Sequence, residues 1–439
     1  MRFGGALRRP GWALTAILAA ALTARVLVVL LSPHFVPRAD AWDYDRIAVA
    51  LAQHGHYPGS ILANGPTALR PPVFPAVLAA LYKVVGVGST STRWEAARLL
   101  EAVLGTITVG LIFLIARRVW DRSAALVSAA VAAVYPPLLL AGASLLAESI
   151  CAPLLLGGVL AALEYRSSPH RLRWALIAGV LVGLASLARV NVVLVAVPVT
   201  LLVWTERPRL AWRSLRAPLA VAAAMLVTLT PWTIRSSVVM HRFVPVSDEA
   251  GYALVGTYNS YAQARTDYPA VWLPPIQAWP GAARSAHGLN EAQISERMTT
   301  LAVDYAKAHP TYVGKVVLWN SLRLVNFTGP GVERWIEQTW GDPASLAVAS
   351  VYAFWALAAL ALLGALTAAG RRAPVALWGW PLAVCLSTVL IIGATRYRLP
   401  ADPFIIMFAA VGLLAVWRRL AVLSARWPRL RNRLASPAA

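Results

Sequence analysis

The segment WALTAILAAALTARVLVVLL at residues 12–31 decides the fold class. A helix of about 20 mostly apolar residues is long enough to cross a bilayer. Arg2, Arg8 and Arg9 precede this run, so its layout is similar to that of a signal sequence. No clear small-residue cleavage site follows it. We therefore interpret the run as a retained membrane anchor.

Apolar runs of spanning length recur along the rest of the chain. Of the 439 residues, 59% are hydrophobic and 13% are charged, whereas soluble domains contain about 25% charged residues. The sequence therefore predicts an all-α polytopic membrane protein with about ten transmembrane helices. For the short runs 174–188 and 190–204, one long tilted helix is the alternative. The remaining runs lie at 97–116, 123–140, 143–163, 217–234, 345–368, 374–394 and 401–417.

The net charge of +21 comes from arginines that cluster between the apolar runs. If the N-terminus is cytoplasmic and the runs alternate in direction, every cluster falls on the cytoplasmic side. This pattern predicts a multi-pass protein of the cell membrane with both termini in the cytoplasm. The basic surface is then a topology signal that also attracts membrane lipids, so we expect no nucleic-acid partner. The clusters lie at 117–122, 166–173, 207–216, 371–372 and 418–433.

This topology divides the chain into four regions. Residues 1–234 form an N-terminal transmembrane module that includes an outer loop, 32–96. Three regions follow it: an outer segment at 235–344, C-terminal transmembrane helices at 345–417, and a basic cytoplasmic tail at 418–439.

Two helical patterns lie in the outer segment 235–344. The sequence EAQISERMTTLAVDYAKAH (291–309) has helical periodicity and ends at His309-Pro310. The sequence TYVGKVVLWNSLRLVNF (311–327) mixes apolar and basic positions, so we expect a helix lying at the membrane interface.

The outer loop 32–96 contains a crowded group of carboxylates and aromatics, within DAWDYDRIAVALAQHG (40–55). If a helix begins near Asp40, then Asp40, Asp43 and Tyr44 share one face and Asp45 points elsewhere. The triplet of residues 43–45 is therefore not interpreted as a metal clamp for a nucleotide sugar. The alternative for Asp40 is a helix-capping role at the positive end of the dipole.

Ionisable residues within or beside the apolar runs are candidates for function, because such positions are costly for charge. The predicted topology places several arginines near the outer surface, against the usual trend. A lipid phosphate is the ligand that suits a guanidinium there. The alternative is structural pairing, of Arg98 with Glu101 or Glu148, or of Arg235 with Asp248. The candidates are Arg98, Glu101, Glu148, Arg189, Arg235, Arg396 and Arg398.

A series of short motifs resembles a known family in order and spacing over almost the whole chain. Together the motifs are similar to those of bacterial GT-C glycosyltransferases of family 39, relatives of protein O-mannosyltransferases and the lipid A aminoarabinose transferase. The motifs are Asp40-x-x-x-Tyr44, IAVALAQHG (47–55), RPPVFP (70–75), Arg98, ARRVW (116–120), LAES (146–149), PWTIR (231–235), VPVSDEAGYAL (244–254) and RYRLPADPF (396–404).

The resemblance implies a GT-C-like helix bundle with a catalytic outer loop. Such enzymes take sugar from a polyprenyl-phosphate donor and act on the outer face of the membrane. Asp40 matches the carboxylate treated as the catalytic base of an inverting transfer. Asp43, Tyr44 and Glu148 are candidates for catalytic support.

The arginines receive the donor phosphate in this interpretation. Arg70 occupies the place of a basic residue ahead of paired prolines, so it is expected to stabilise the leaving phosphate. The further candidates for this role are Arg98, Arg189, Arg235, Arg396 and Arg398. The chain departs from several relatives at Ala41 and Leu69, where they carry acidic residues, so a second catalytic carboxylate is absent from its usual place.

The partners implied are membrane lipids, the lipid-linked sugar donor, and an envelope acceptor that is a glycan, a lipid or a protein. We expect no cofactor and no metal. His54 and His56 beside Asp40 could suggest a metal site, but two histidines without further ligands are more often surface residues. The competing function is a transporter or flippase of lipid-linked substrates. That function would predict repeated halves and broken mid-membrane helices, and the sequence shows neither.

Overall fold

The computed structural model describes residues 11–168, 170–281, 287–334 and 344–434. Within these ranges the regular elements are helices, and the β-type pairing consists of one isolated bridge between Gly59 and Pro66. A 3-10 helix spans Val190–Val195. The α-helices are α1 (Trp12–Leu30), α2 (Asp40–His54), α3 (Val73–Val85), α4 (Thr90–Val119), α5 (Arg122–Val134), α6 (Pro136–Leu140), α7 (Glu148–Tyr165), α8 (Arg171–Ser186), α9 (Ala196–Val203), α10 (Trp212–Met240), α11 (Ala250–Thr257), α12 (Ser260–Ala264), α13 (Pro275–Ala278), α14 (Glu291–Ala308), α15 (Pro310–Leu324), α16 (Ala344–Leu366), α17 (Ala368–Arg371), α18 (Val375–Thr388), α19 (Thr395–Arg398) and α20 (Asp402–Leu434).

Six of these helices are long and apolar enough to cross a membrane, and four shorter apolar helices accompany them. The predicted all-α polytopic fold is confirmed. The six helices are α1, α4, α7, α10, α16 and α20.

Small residues let the spanning helices pack closely. Helix α7 lies between α4 and α8, and α8 packs in turn against α10. Helices α16 and α20 pack along each other, where Gly364 lies so close to the Phe408 carbonyl that a Cβ would not fit. The result is a contiguous apolar core that supports the polar groups at one end.

Several predicted boundaries differ from the structure. The run 123–140 is not one helix, because the chain turns at Tyr135 ahead of two prolines and α6 starts anew. The alternative of one long helix over 174–204 is wrong, since α8 ends at Ser186 and the 3-10 helix follows. Helix α3 is apolar although it lies within the predicted outer loop.

The two regions that were predicted to lie outside the membrane are helical too. Helix α14 matches its predicted pattern, and Asn290 begins it with a capping box that pairs it with Gln293. The predicted interfacial helix is α15, but it ends before Phe327 and buries Asn320 and Arg323 against the protein. Helix α20 continues into the basic tail through Leu434. Residues 1–10 and 435–439, with part of the predicted topology signal, lie outside the described residues.

Candidate active site

Helix α2 presents two different faces, as the spacing predicted. Its first residue, Asp40, makes no capping hydrogen bond, and the N-cap position is Ala39. The Asp40 carboxylate instead pairs with Arg70 and Arg396. The capping alternative therefore does not describe this side chain. Asp45 lies on the other face, where Arg93 and Tyr82 bind it.

Arg70 is the centre of an ionic network that joins helix α2 to the segment before α11. Its Nη2 lies 2.6 Å from Asp40 Oδ1, and its Nε lies 3.2 Å from Asp43 Oδ2. Its Nη1 lies 2.9 Å from an oxygen of Glu249, a residue just before α11. Each nitrogen of the buried guanidinium therefore faces a carboxylate, and Ser247 holds the neighbouring Leu69 carbonyl.

Asp40 also contacts a second group of charged residues, which includes Arg396 from near the C-terminus. Arg396, on the short helix α19, pairs with Asp40 and lies 3.3 Å from Glu148 Oε1. Glu148 also accepts a hydrogen bond from Arg189, whose Nε donates to Asn191 Oδ1 at 3.3 Å. The carboxylates of Asp40 and Glu148 are thus each shared by two cations.

The charges of this network balance. Four carboxylates face four guanidinium groups, because Arg46 also pairs with Asp43 at 2.9 Å. The carboxylates are those of Asp40, Asp43, Glu148 and Glu249, and the cations are Arg46, Arg70, Arg189 and Arg396. An additional anion could therefore bind only by taking a cation from one of these carboxylates.

Burial and charge shift the proton affinities of this site in opposite directions. Burial raises the pKa of the Asp40 carboxyl, but Arg70 and Arg396 lower it by more, so it lies well below its usual range. Burial lowers the pKa of Arg70, and Asp40 and Glu249 raise it by more. Burial raises the pKa of Tyr44, so this phenol stays neutral. Asp40 is therefore a carboxylate over the whole physiological pH range.

Asp40 lines three neighbouring cavities. The first has a volume of about 250 Å³ and is lined by Arg70, Arg189 and Arg396 together with apolar residues such as Val190 and Ile391. The second has a volume of about 480 Å³ and extends past Tyr397 toward α15. The third, of about 180 Å³, lies between Leu69 and Tyr252. We call them the first, second and third cavities.

Three of the predicted phosphate-binding arginines lie elsewhere. Arg98 donates to the Ala143 carbonyl at 2.7 Å and to Ser32. The Glu101 carboxylate accepts backbone N–H groups at the turn before α7. Arg98 thus joins α1 to this turn, away from Asp40.

Arg235 and Arg398 are also separate from the three cavities. Arg235 donates to the Thr67 carbonyl and lies over the rings of Tyr57 and Trp232, both 4.9 Å away, rather than pairing with Asp248. Arg398 pairs with Asp402 at 2.8 Å. The structure therefore brings Arg70, Arg189 and Arg396 to Asp40, and it does not bring the other three.

Sequence reasoning missed several residues of this region. Glu249 lies within a motif of the resemblance, VPVSDEAGYAL (244–254), yet nothing in its local pattern shows that it faces Arg70. Arg25 lies inside the first apolar run and is fully buried against the Ala133 and Ala21 carbonyls. Its position in a spanning run was a signal that could have been used. Arg323 looked like a surface position of an interfacial helix, and it is buried.

Histidine, cysteine and carboxylate side chains are the candidate metal ligands of the described part of the chain. No three His, Cys, Asp or Glu side chains converge there as ligands. His54 and His56 are exposed, with ring centroids 5.8 Å apart.

Comparison with known proteins gives matches of two kinds. Residues 69–234 match the family described as dolichyl-phosphate-mannose-protein mannosyltransferase. The apo oligosaccharyltransferase of Archaeoglobus fulgidus is similar over 98% of this chain and 53% of that chain, with a TM-score of 0.56 and 14% identity. The structure of the oligosaccharyltransferase AglB from the same organism contains an inhibitory peptide and a dolichol-phosphate. It is similar over 98% of this chain and 52% of that chain, with a TM-score of 0.54 and 14% identity.

A further structure is ArnT from Cupriavidus metallidurans bound to undecaprenyl phosphate. It matches over 92% of this chain and 77% of that chain, with a TM-score of 0.43 and 17% identity. No curated protein sequence matches. The chain spans about half the length of the archaeal oligosaccharyltransferase, and the archaeal matches show that it shares that protein's fold.

Proposed function

The chain is a multi-pass membrane protein with the fold of the archaeal oligosaccharyltransferase, and from this premise we propose that it is a membrane glycosyltransferase of the GT-C type. The donor is a sugar linked to a polyprenyl phosphate. The acceptor is a hydroxyl of an envelope molecule. The observation that carries the proposal is the meeting of Asp40 with Arg70, Arg189 and Arg396 at cavities where both substrates can reach the carboxylate.

The first cavity is the proposed donor site. Arg189 and Arg396 sit on its polar side together with Asn191, and guanidinium groups suit phosphate because they donate in a planar fork. The apolar side, with Val190, Ile391 and Ile392, suits the first isoprene units. The archaeal AglB structure contains a dolichol-phosphate, a lipid of this chemical class.

The transfer is a single displacement in which atoms and charges balance. The acceptor oxygen attacks the anomeric carbon while its proton passes to the Asp40 carboxylate. The bond from the anomeric carbon to the phosphate oxygen breaks, and the lipid phosphate leaves with the bonding electrons. Arg70, Arg189 and Arg396 stabilise the charge that develops on this oxygen. Attack opposite to the leaving group inverts the anomeric centre.

Donor binding also adjusts the strength of the base. In the resting network Arg70 and Arg396 hold the pKa of Asp40 low, which makes the carboxylate a weak proton acceptor. A donor phosphate shares those guanidinium groups, so less positive charge remains for Asp40. The pKa of Asp40 then rises, and the carboxylate becomes a better base once the donor is in place.

The active site is proposed to face outward. The arginine clusters of the sequence place the loop 32–96 and the segment 235–344 on the outer side. In a background without Cys151 and Cys385, Thr266→Cys should react with an impermeant maleimide in intact cells. Leu210→Cys, which is equally accessible in the fold but predicted to be cytoplasmic, should stay protected until the cells are opened. The reverse pattern would overturn the orientation.

The direct test uses the purified full-length chain in proteoliposomes with a polyprenyl-phosphate-linked hexose labelled in the sugar. A glycosyltransferase releases free polyprenyl phosphate and moves the label to an acceptor in an envelope extract. The competing flippase would move intact donor between leaflets without cleaving it. If the donor moves between leaflets and stays uncleaved in the presence of the extract, the protein is a transporter and the proposed function is wrong.

A further inference from the structure

The second cavity is the largest of the three spaces around Asp40. Its volume is about 480 Å³, within the range of small-molecule sites. Asp40, Ile392 and Tyr397 line both this cavity and the first cavity. Its other lining residues include 271–274 and Gln277, and Asn320 and Arg323 of α15. A molecule in this cavity can therefore reach Asp40 from a side different from that of the donor phosphate.

Arg323 is a cation in the wall of this cavity without a neutralising partner. Arg323 is buried, with only 3% of the residue exposed. Nη1 donates to Asn320 Oδ1 at 2.9 Å and to the Ala270 carbonyl at 3.2 Å, and Nη2 donates to the Pro269 carbonyl. No carboxylate of the described residues pairs with it. Arg70, Arg189 and Arg396 of the donor site each have such a partner.

A buried cation without an anion is costly to keep charged. Burial accordingly lowers the pKa of Arg323 to about 10. The three acceptors that it does have are neutral oxygens, which orient the guanidinium without cancelling its charge. An anion in the adjoining cavity would supply the missing charge.

Two further side chains extend the chemistry of the cavity. Trp272 is half-buried, and its Nε1 donates to the Tyr252 carbonyl at 3.4 Å, so the ring is held in place along both the second and third cavities. An indole is a large apolar surface with a polar edge, which suits the apolar face of a sugar ring. Arg265 adds a second cation, although Asp267 binds it at 2.7 Å.

We propose that the second cavity binds the acceptor, and that this acceptor is a sugar with an acidic group that pairs with Arg323. The ring lies against Trp272, and the accepting hydroxyl is directed toward Asp40. That this ligand is the acceptor of a transfer reaction rests on the proposed function. The binding of an anionic sugar at Arg323 is measurable without any transfer reaction.

The test compares sugars that differ in charge. Glucuronic acid, glucose 6-phosphate and glucose are titrated by calorimetry into the purified full-length chain in detergent. The wild type should bind at least one acidic sugar roughly 10- to 100-fold more tightly than glucose, the usual size of a hydrogen-bonded charge pair. Preference for glucuronic acid would identify a carboxylate acceptor, and preference for glucose 6-phosphate a phosphorylated one. Equal binding of all three sugars would overturn the proposal.

Variants locate the binding. Arg323→Gln should abolish the preference for the acidic sugar, whereas Arg189→Gln, in the donor site, should leave it unchanged. Loss of the preference in Arg189→Gln alone would place the anion in the first cavity and contradict the proposal. If Arg323→Gln does not fold, Gln277→Trp decides, because residue 277 is exposed and lines the second cavity, where the bulkier indole is expected to reduce the space for a ligand. A preference that survives Gln277→Trp would also contradict the proposal.

Failure of the proposed function would look different. In that case the wild type cleaves no polyprenyl-phosphate-linked hexose with any extract. The tighter binding of acidic sugars than of glucose is a separate measurement, and its outcome does not depend on that result. A wild type that transfers sugar but binds all three probes equally would leave the glycosyltransferase standing and remove only the acidic acceptor.

Discussion

Helix α2 carries aspartates on two faces, and the two faces are built differently. On the back, Asp45 binds Arg93 through two parallel contacts of 3.1 and 2.9 Å and accepts the Tyr82 hydroxyl at 2.8 Å. On the front, the Asp40 carboxylate is shared between Arg70 and Arg396. The front borders three cavities, and none of these is lined by Asp45.

The difference teaches that ionic contact alone does not mark a catalytic group. A closed, bidentate pair such as Asp45 with Arg93 has its hydrogen bonds satisfied, and it fastens α2 to α4. On the front, the Asp40 carboxylate is bound to two cations beside open space, so an incoming phosphate can replace one of these contacts while the other remains. The back face therefore holds the helix in place, and the front face is where ligands can exchange.

The largest expected effect separates the two faces directly. Asp40→Asn keeps the shape of the side chain but cannot take up a proton, so transfer should fall by roughly 10²–10⁴-fold. Asp45→Asn should keep near-normal transfer per folded molecule while losing about 1.5–3 kcal/mol of stability. Release of polyprenyl phosphate and melting in detergent measure the two quantities. Normal transfer by Asp40→Asn would remove it as the base.

The next effect concerns the cations of the two faces. Arg70→Ala should lower transfer by roughly 10²–10³-fold, because a positioned group that stabilises the leaving oxygen is lost. Arg70→Lys should be intermediate, since it keeps the charge and loses the planar fork. Arg93→Ala is the matched control, and it should mainly lower the melting temperature. Equal transfer by Arg70→Ala and wild type would exclude Arg70 from phosphate stabilisation.

Tyr82→Phe tests the back face with the smallest change in shape. It removes the hydroxyl that Asp45 accepts at 2.8 Å. We expect a loss of about 1–2 kcal/mol of stability and no change in transfer per folded molecule. Thermal melting and the transfer assay, run on the same preparation, check this. A fall in transfer without a fall in stability would show that the back face takes part in turnover.

Glu249→Gln sharpens the description of the front face. Glu249 is the most exposed carboxylate bound to Arg70, with a side chain 36% exposed. Removing its charge removes a competitor for the donor phosphate, so the affinity for a polyprenyl phosphate should rise by roughly two- to five-fold. Glu95→Gln, an exposed change on α4, is the control. Weaker binding by Glu249→Gln would mean that this carboxylate assists the donor.

The smallest effect is a pH dependence of stability at Asp248, the residue before Glu249. Burial, together with the neighbouring Glu291, raises the pKa of Asp248 to about 8. In the unfolded chain the Asp248 carboxyl loses its proton above about pH 4, whereas in the folded chain it keeps the proton up to about pH 8. The free energy of unfolding therefore falls as the pH rises between these two values. Asp248→Asn should melt at a temperature that changes less between pH 6 and 8 than the wild type. An identical pH profile would contradict the shared proton.

Much of the fold could be predicted from composition and periodicity, because membrane spans and helix faces are local properties. The start of α2 at Asp40 and the opposite orientation of Asp45 follow from helical geometry alone. The break at Tyr135 and the 3-10 helix depend on how neighbouring helices pack, and they were not predicted. The all-α polytopic fold was predicted and is confirmed, and it is shared with the archaeal oligosaccharyltransferase.

The site was predicted only in part. The resemblance pointed to Asp40 and Arg70, which do meet. It could not tell which of the other candidate arginines join them, since Arg396 and Asp40 lie far apart in sequence and meet only through the tertiary fold. Arg98, Arg235 and Arg398 have equally conspicuous positions in the sequence but bind carbonyls or an aspartate elsewhere. Glu249 and Arg323 carried no local signal of burial or contact.

The residue before Asp40 has a consequence for engineering. Ala39 has φ of 47°, a region that favours glycine, and such a conformation costs of the order of 1–3 kcal/mol. Replacement by glycine would relieve this cost and raise thermal tolerance, but it would also give the backbone at Asp40 freedom to move. A screen for thermostable variants would thus select Ala39→Gly, and we expect this variant to gain stability and to lose turnover.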